Sequence, residues 1–170
     1  MLITGRLGLW SRACVAIAGV AAMCGLAVTP ARAAGPGSWT QLDNPLHPSA
    51  RTYVATAYDP DVDATVVFGG SSYSSGGLLN ETWLRHHDGS WTRVGGSQPG
   101  PRQLALAAYD PAAQRVILFG GAGPPPPGGS LLSRLGDTWA FDGSRWTQLH
   151  PAVAPPARFL AAMTCARPRA

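Results

Sequence analysis

The chain has 170 residues, 13 Lys+Arg against 9 Asp+Glu, a formal charge of +4, and 45% hydrophobic residues. That length excludes a large multidomain enzyme, and 13% charged residues beside so much apolar content excludes a disordered polyampholyte. The 21 Gly and 16 Pro residues make up about a fifth of the chain, roughly twice the usual share. They argue against a helical bundle and predict short strands joined by turns.

The chain opens with Arg6 and Arg12, followed by the apolar stretch Ala13 to Val28. At 16 residues this stretch is shorter than the ~18–20 needed to cross a bilayer. Ala31-Arg32-Ala33 then supplies a small-x-small cleavage site. Residues 1–33 are therefore expected to be a general secretory signal helix, cleaved near Ala33. The product would be secreted, periplasmic or at the cell surface, without a stable membrane anchor. Cys24 lacks the preceding small residue of a lipobox, since Met23 stands there. Cleavage would remove Cys14 and Cys24 and leave Cys165, which excludes an internal disulfide and a cysteine-based metal site.

Residues 34–170 are organised by a repeat. Arg51 to Pro60 aligns with Arg102 to Pro111, both ending in Tyr-Asp-Pro, and Val66 to Gly70 aligns with Ile117 to Gly121. Glu81-Thr82-Trp83 matches Asp137-Thr138-Trp139, and Asp88-Gly89-Ser90-Trp91-Thr92 matches Asp142-Gly143-Ser144-Arg145-Trp146-Thr147. Ahead of the first unit, Ser38-Trp39-Thr40-Gln41-Leu42 copies the end of a unit. After the second, Pro156 to Ala162 copies a beginning.

Each unit, 51–94 and 102–149, predicts four short strands. The first covers Arg51–Tyr58 and Arg102–Tyr109 and ends at Asp-Pro, whose fixed φ and side-chain acceptor start a turn. The second, Thr65–Phe68 and Arg115–Phe119, is a continuous β-branched and aromatic run, expected to be buried on both faces and to end at Gly69-Gly70 and Gly120-Gly121. The third covers Glu81–Arg85 and Asp137–Phe141. Asp-Gly hairpin turns lead into the fourth strands at Trp91–Val94 and Trp146–Leu149, which show period-2 alternation.

Four antiparallel strands per ~50-residue repeat is the pattern of a propeller blade. At these positions the chain resembles the kelch-repeat β-propeller family, which shares its fold with the central domain of galactose oxidase. The resemblance rests on the glycine pairs Gly69, Gly70, Gly120 and Gly121, the third-strand Trp83 and Trp139, and the fourth-strand Trp91 and Trp146. It implies an all-β fold with two full four-stranded blades and partial flanking ones, a fourth strand at 38–42 and the start of a further blade at 156–164. The register breaks in the tail 165–170. Propellers close with four or more blades, so this segment is expected to be an incomplete copy, truncated or frameshifted. Open blade faces would leave tryptophan in water and invite self-association.

In that family, binding loops emerge between second and third strands and ahead of each first strand. Here they are Gly70–Leu79, Gly121–Leu135, Asp43–Ala50, Gly95–Pro101 and His150–Ala157. They offer Tyr73, an aromatic suited to stacking on a sugar or peptide, and His47 and His150 on like loops. Asn80-Glu81-Thr82 fits a glycosylation sequon, and it also begins a third strand, where Glu81 and Asp137 are expected to make structural hydrogen bonds. His86 and His87 are adjacent, so strand alternation would send them to opposite faces. No catalytic, cofactor or metal constellation emerges. The residues behind galactose oxidase's copper chemistry have no counterparts. The scattered arginines do not form a nucleic-acid footprint. The expected role is a non-enzymatic scaffold binding protein or carbohydrate. The alternatives are a fragment of a galactose-oxidase-like or sugar-modifying enzyme, or a truncated product without function.

Overall fold

The computed structural model describes residues 44–74 and 76–165. The chain divides into units Met1–Gln41 and Leu42–Ala170, and all described residues lie in the second. The expected signal segment 1–33, the strand expected at 38–42 with its Trp39, and residues 166–170 lie outside the described residues.

The described chain is all-β. Strand β1 (Ala55–Asp59) leads into β2 (Ala64–Phe68), a small hairpin of β3 (Ser71–Ser72) and β4 (Gly77–Leu78), then β5 (Thr82–His86) and β6 (Trp91–Val94). The second unit repeats the plan with β7 (Leu106–Asp110), β8 (Arg115–Gly123), β9 (Ser133–Phe141) and β10 (Trp146–Leu149). Two four-stranded antiparallel sheets result, ordered β1-β2-β5-β6 and β7-β8-β9-β10. Neither closes on itself. The fourth strands fall where the alternation predicts them. The first strands begin later than expected, at Ala55 and Leu106. The residues ahead of them instead make isolated bridges, Thr52 with Ser71 and Gln103 with Ala122.

The turns have the expected chemistry. Asp59 Oδ1 accepts the Asp61 N–H at 3.0 Å, and Asp110 Oδ1 accepts the Ala112 N–H at 2.9 Å. At the later hairpins Asp88 and Asp142 hold the N–H of Ser90 and Ser144 in the same way. Gly89 and Gly143 both have φ of 87°.

One expectation is corrected. Gly69-Gly70 ends β2, but Gly120-Gly121 lies inside β8. There the register shifts between Phe119 and Gly121, and pairing resumes as Gly121↔Leu135, Ala122↔Arg134 and Gly123↔Ser133. The segments Gly70–Leu79 and Gly121–Leu135 are thus partly strand rather than loop. The glycine pair makes a bulge, which bends the strand without ending its ladder. The first copy also pairs beyond its glycine pair, as Ser71↔Leu78 and Ser72↔Gly77, but there the ladder is the separate hairpin β3–β4.

Between the sheets lies one core. Ala55, Val66, Phe68 and Leu84 of the first sheet meet Val116, Leu118, Phe141 and Trp146 of the second. Trp146 joins them: its ring lies 5.4 Å from Phe68 and 5.0 Å from Phe141. Its Nε1–H donates to Thr82 Oγ1 at 2.8 Å across the interface, and the Thr82 hydroxyl in turn donates to Gln98. Each such ring buried is worth about 1.5–3 kcal/mol. Tryptophan is therefore less exposed than two open sheets suggest: Trp83 and Trp146 are buried, Trp91 and Trp139 half-buried.

A buried arginine sews the units together. The Arg102 N–H donates to Leu79 O of the first unit, and its carbonyl accepts the Gly70 N–H. Its guanidinium turns the other way. It grips Asp137 with two bonds, at 2.6 and 2.8 Å, and donates to Gly120 O. The Trp139 indole N–H donates to the same carboxylate at 2.6 Å. Arg51, Glu81 and Trp83 repeat this clamp in the first unit. At the third unit, Arg158 makes the same two backbone bonds, to Leu135 O and from Gly121 N–H. Tyr53, Leu104 and Leu160 all sit at φ between 56 and 59°, so three successive unit starts share one unusual bend. Glu81 and Asp137 thus have the structural bonds expected of them.

Two outcomes follow from this packing. A Cβ on Gly69 would lie 2.6 Å from Arg102 O, at a φ of 65°, so Gly69→Ala should destabilise the fold by more than about 1 kcal/mol in urea melts. Arg102→Ala should cost about 3–5 kcal/mol, because it strands Asp137 in a site 24% exposed. Burial opposes ionisation of Asp137, but bonds from Arg102 and Trp139 and the Arg102 charge outweigh it and hold its pKa below 3.8. The depressed value means that this stability is present above about pH 4 and is lost as pH falls further. Unfolding free energy measured from pH 5 to pH 2 should fall in the wild type and lose that component in Arg102→Ala.

Candidate functional site

The expected binding residues are exposed and separate. Tyr73 stands at the tip of the β3–β4 hairpin, 97% exposed. His47 is exposed ahead of the first unit, its Nδ1 2.9 Å from Pro48 O, and His150 is exposed just past β10. Among the described residues no hydrogen bond, ion pair or ring contact joins the three.

The structure instead gathers polar side chains on the first sheet. A cleft of about 320 Å³ is lined by Tyr58, Asp63, Thr65, Arg85, His86 and His87. Antiparallel register builds its floor: Tyr58 lies opposite Thr65, Thr65 opposite Arg85, and Arg85 opposite Trp91. Directly opposed residues share a face, so these four cross the sheet in a row, on the side away from the second sheet. The Arg85 guanidinium lies 5.9 Å from the Trp91 ring, within cation–π range. Its Nη1 donates to His86 O at 3.4 Å. His86 Nε2 lies 2.9 Å from Thr92 Oγ1.

His86 lies opposite Ala64 in the register, and its ring meets Thr92, whose own partner is the core residue Leu84, so its side chain is on the core-facing side of the sheet, as strand alternation predicts. His87 already belongs to the turn and lines the outer cleft. Even so, no group of three or more His, Cys, Asp or Glu side chains converges among the described residues.

Comparison of the sheets shows what is particular to this cleft. In the second sheet the same row runs Tyr109, Val116, Phe141, Trp146. There Val116 and Phe141 are fully buried against the first sheet. The first sheet has Thr65 and Arg85 at those places, so a row that is core in one unit is hydrophilic in the other. The difference is legible in the sequence when the units are aligned strand by strand, at Thr65 against Val116 and Arg85 against Phe141, outside the glycine and tryptophan motifs.

The tyrosines of the row differ in the same sense. Tyr58 donates to Asp63 of its own turn at 2.6 Å, and that bond raises the phenol pKa. Tyr109 donates across the interface to Asp61, also at 2.6 Å. The bond to Asp61, with some loss of solvent and the nearby negative charges, pushes its pKa up to about 12.

Compared with protein-family models and with curated proteins, the chain matches none.

The interface tyrosine is open to test. Its folded pKa is raised above 10.0, so the stability it adds is present below pH 10 and is lost as pH rises toward 12. Titration by ultraviolet absorbance should show one phenol ionising near pH 12, and Asp61→Asn should bring it down toward 10.

Proposed function

We propose that the chain is a non-enzymatic binding scaffold made of kelch-type propeller blades, exported by the signal segment 1–33, and that the polar face of its first blade holds a carbohydrate. Support for the blades comes from the sheet built twice on one plan, with the same arginine–carboxylate–tryptophan clamp and the same bend at each unit start. One observation carries the ligand: Thr65 and Arg85 stand where Val116 and Phe141 form core in the second sheet.

The cleft suits a sugar better than a peptide. Saccharide rings combine apolar C–H faces with hydroxyls. Tyr58, 55% exposed, and the edge of Trp91 offer aromatic surface, while Thr65 and His87 donate and accept hydrogen bonds. Arg85 adds a fixed positive charge whose planar fork pairs with carboxylate or sulfate. The combination favours acidic over neutral sugars. A shallow cleft with few fixed donors also fits weak, reversible binding, in which two or three residues carry most of the energy.

A glycan array probed with the purified chain should show selective binding to uronate-containing or sulfated oligosaccharides. Arg85→Ala should weaken that binding at least tenfold while moving the unfolding free energy by no more than about 0.5 kcal/mol. Binding to neutral glycans alone, or acidic binding indifferent to Arg85, would overturn the reading. Export is tested separately, by finding a secreted product whose N-terminus lies near residue 34.

A further inference from the structure

The second sheet has two faces, set by strand alternation. Ala107, Val116, Leu118 and Trp139 face the first sheet, so Leu106, Ile117, Phe119 and Thr138 face away from it. On that far face lies a pocket of about 270 Å³, lined among others by Leu106, Ile117, Phe119, Thr138, Arg158 and Met163.

The repeat identifies what this pocket corresponds to. Its sheet residues Leu106, Ile117, Phe119 and Thr138 are the counterparts of Ala55, Val66, Phe68 and Thr82. Its other wall, from Pro155 to Met163, is the counterpart of Pro99 to Ala107. In the first unit, the indole of Trp146 lies in one cluster with Ala55, Val66 and Phe68, against which Ala105 and Ala107 pack; it is tilted against Phe68 and bonded to Thr82 Oγ1. The equivalence is geometric as well as sequential, because Arg158 docks on Leu135 and Gly121 as Arg102 docks on Leu79 and Gly70. The pocket is therefore an indole socket: apolar walls, one aromatic side, and Thr138 as the acceptor. Among the described residues Thr138 Oγ1 makes no hydrogen bond.

We propose that this socket seats Trp39 of a second copy of the chain, delivered on the segment Ser38–Leu42. That segment contains Trp-Thr-Gln-Leu at 39–42, identical to the Trp146-Thr147-Gln148-Leu149 run whose tryptophan fills the first socket. The other fourth-strand tryptophan, Trp91, is a poor fit. Its sheet carries Arg85 and Thr65 on the same face, and docking it would bury the Arg85 charge without a carboxylate partner.

Asn44, where the described chain begins, is tied to Gly89 O at the β5–β6 turn of the first sheet, whereas the socket opens on the far face of the second sheet. A contact between the N-terminal segment of one copy and the C-terminal face of another is head-to-tail, so it continues into a ring or a filament rather than stopping at a symmetric pair.

Sedimentation velocity of the purified chain at increasing concentration should show discrete growth beyond the monomer. Trp39→Ala should raise the association midpoint at least tenfold. Thr138→Val, which keeps the shape and removes the acceptor, should raise it severalfold, with circular dichroism confirming an intact fold in both. A fluorescent peptide spanning residues 37–44 should bind the chain and reverse the association, and the same peptide with Trp39→Ala should not. A chain that stays monomeric at every concentration, or one whose association ignores both substitutions and the peptide, would overturn the proposal. None of these outcomes depends on sugar binding.

Discussion

The fold depends on a buried guanidinium. Arg102 is 3% exposed, and its side chain is fully paired, with two oxygens of Asp137 and the carbonyls of Gly120 and Gly100, while its backbone bonds Leu79 and Gly70. A charge so placed is tolerated only when fully paired. Here the pairing fixes where the second sheet starts relative to the first. The Trp139 indole is bonded to the same carboxylate, so the third strand is set by the same contact. Because bidentate pairing needs a planar fork, lysine could not substitute at this position, in keeping with a chain whose 13 basic residues are all arginine.

The glycine pairs are the steric side of the same constraint. The backbone of each succeeding unit passes so close to Gly69 and Gly120 that a side chain on either would collide with a carbonyl, Arg102 O at 2.6 Å or Arg158 O at 2.5 Å. Close approach brings Gly70 and Gly121 within hydrogen-bonding distance of those carbonyls. The apolar core then follows. With the unit starts anchored, the inner faces of the two sheets meet around Trp146, and the indole acquires both its aromatic neighbours and its acceptor Thr82.

Two surfaces depart from the repeat, each in a different way. On the first sheet, the row that would be core by analogy is polar, with Thr65, Arg85 and His87 gathered beside Tyr58. On the second sheet, the far face keeps the apolar residues of a packed interface. The first presents polar groups outward; the second presents apolar walls around the Thr138 hydroxyl. Both rest on the same comparison between equivalent positions, and both are invisible if each unit is considered alone.

Much of the local structure was determined by the sequence itself. Period-2 alternation set Trp91–Val94 and Trp146–Leu149 as strands, and Asp-Pro and Asp-Gly set the turns, because these signals act over two to four residues and need no distant partner. The β-branched runs announced the central strands β2 and β8, but not that Thr65 of β2 would line an open cleft and Ile117 of β8 an open pocket. Tertiary structure decided the rest. Gly69-Gly70 separates β2 from β3 whereas Gly120-Gly121 lies within β8, a difference the glycine pairs themselves do not announce. The cleft itself needed cross-strand register to bring Tyr58, Thr65 and Arg85, far apart in the chain, into one row. The arginine's role stayed hidden for the same reason: Arg102 is 35 residues from Asp137, and a charge pair over that distance is created by folding rather than by sequence neighbourhood.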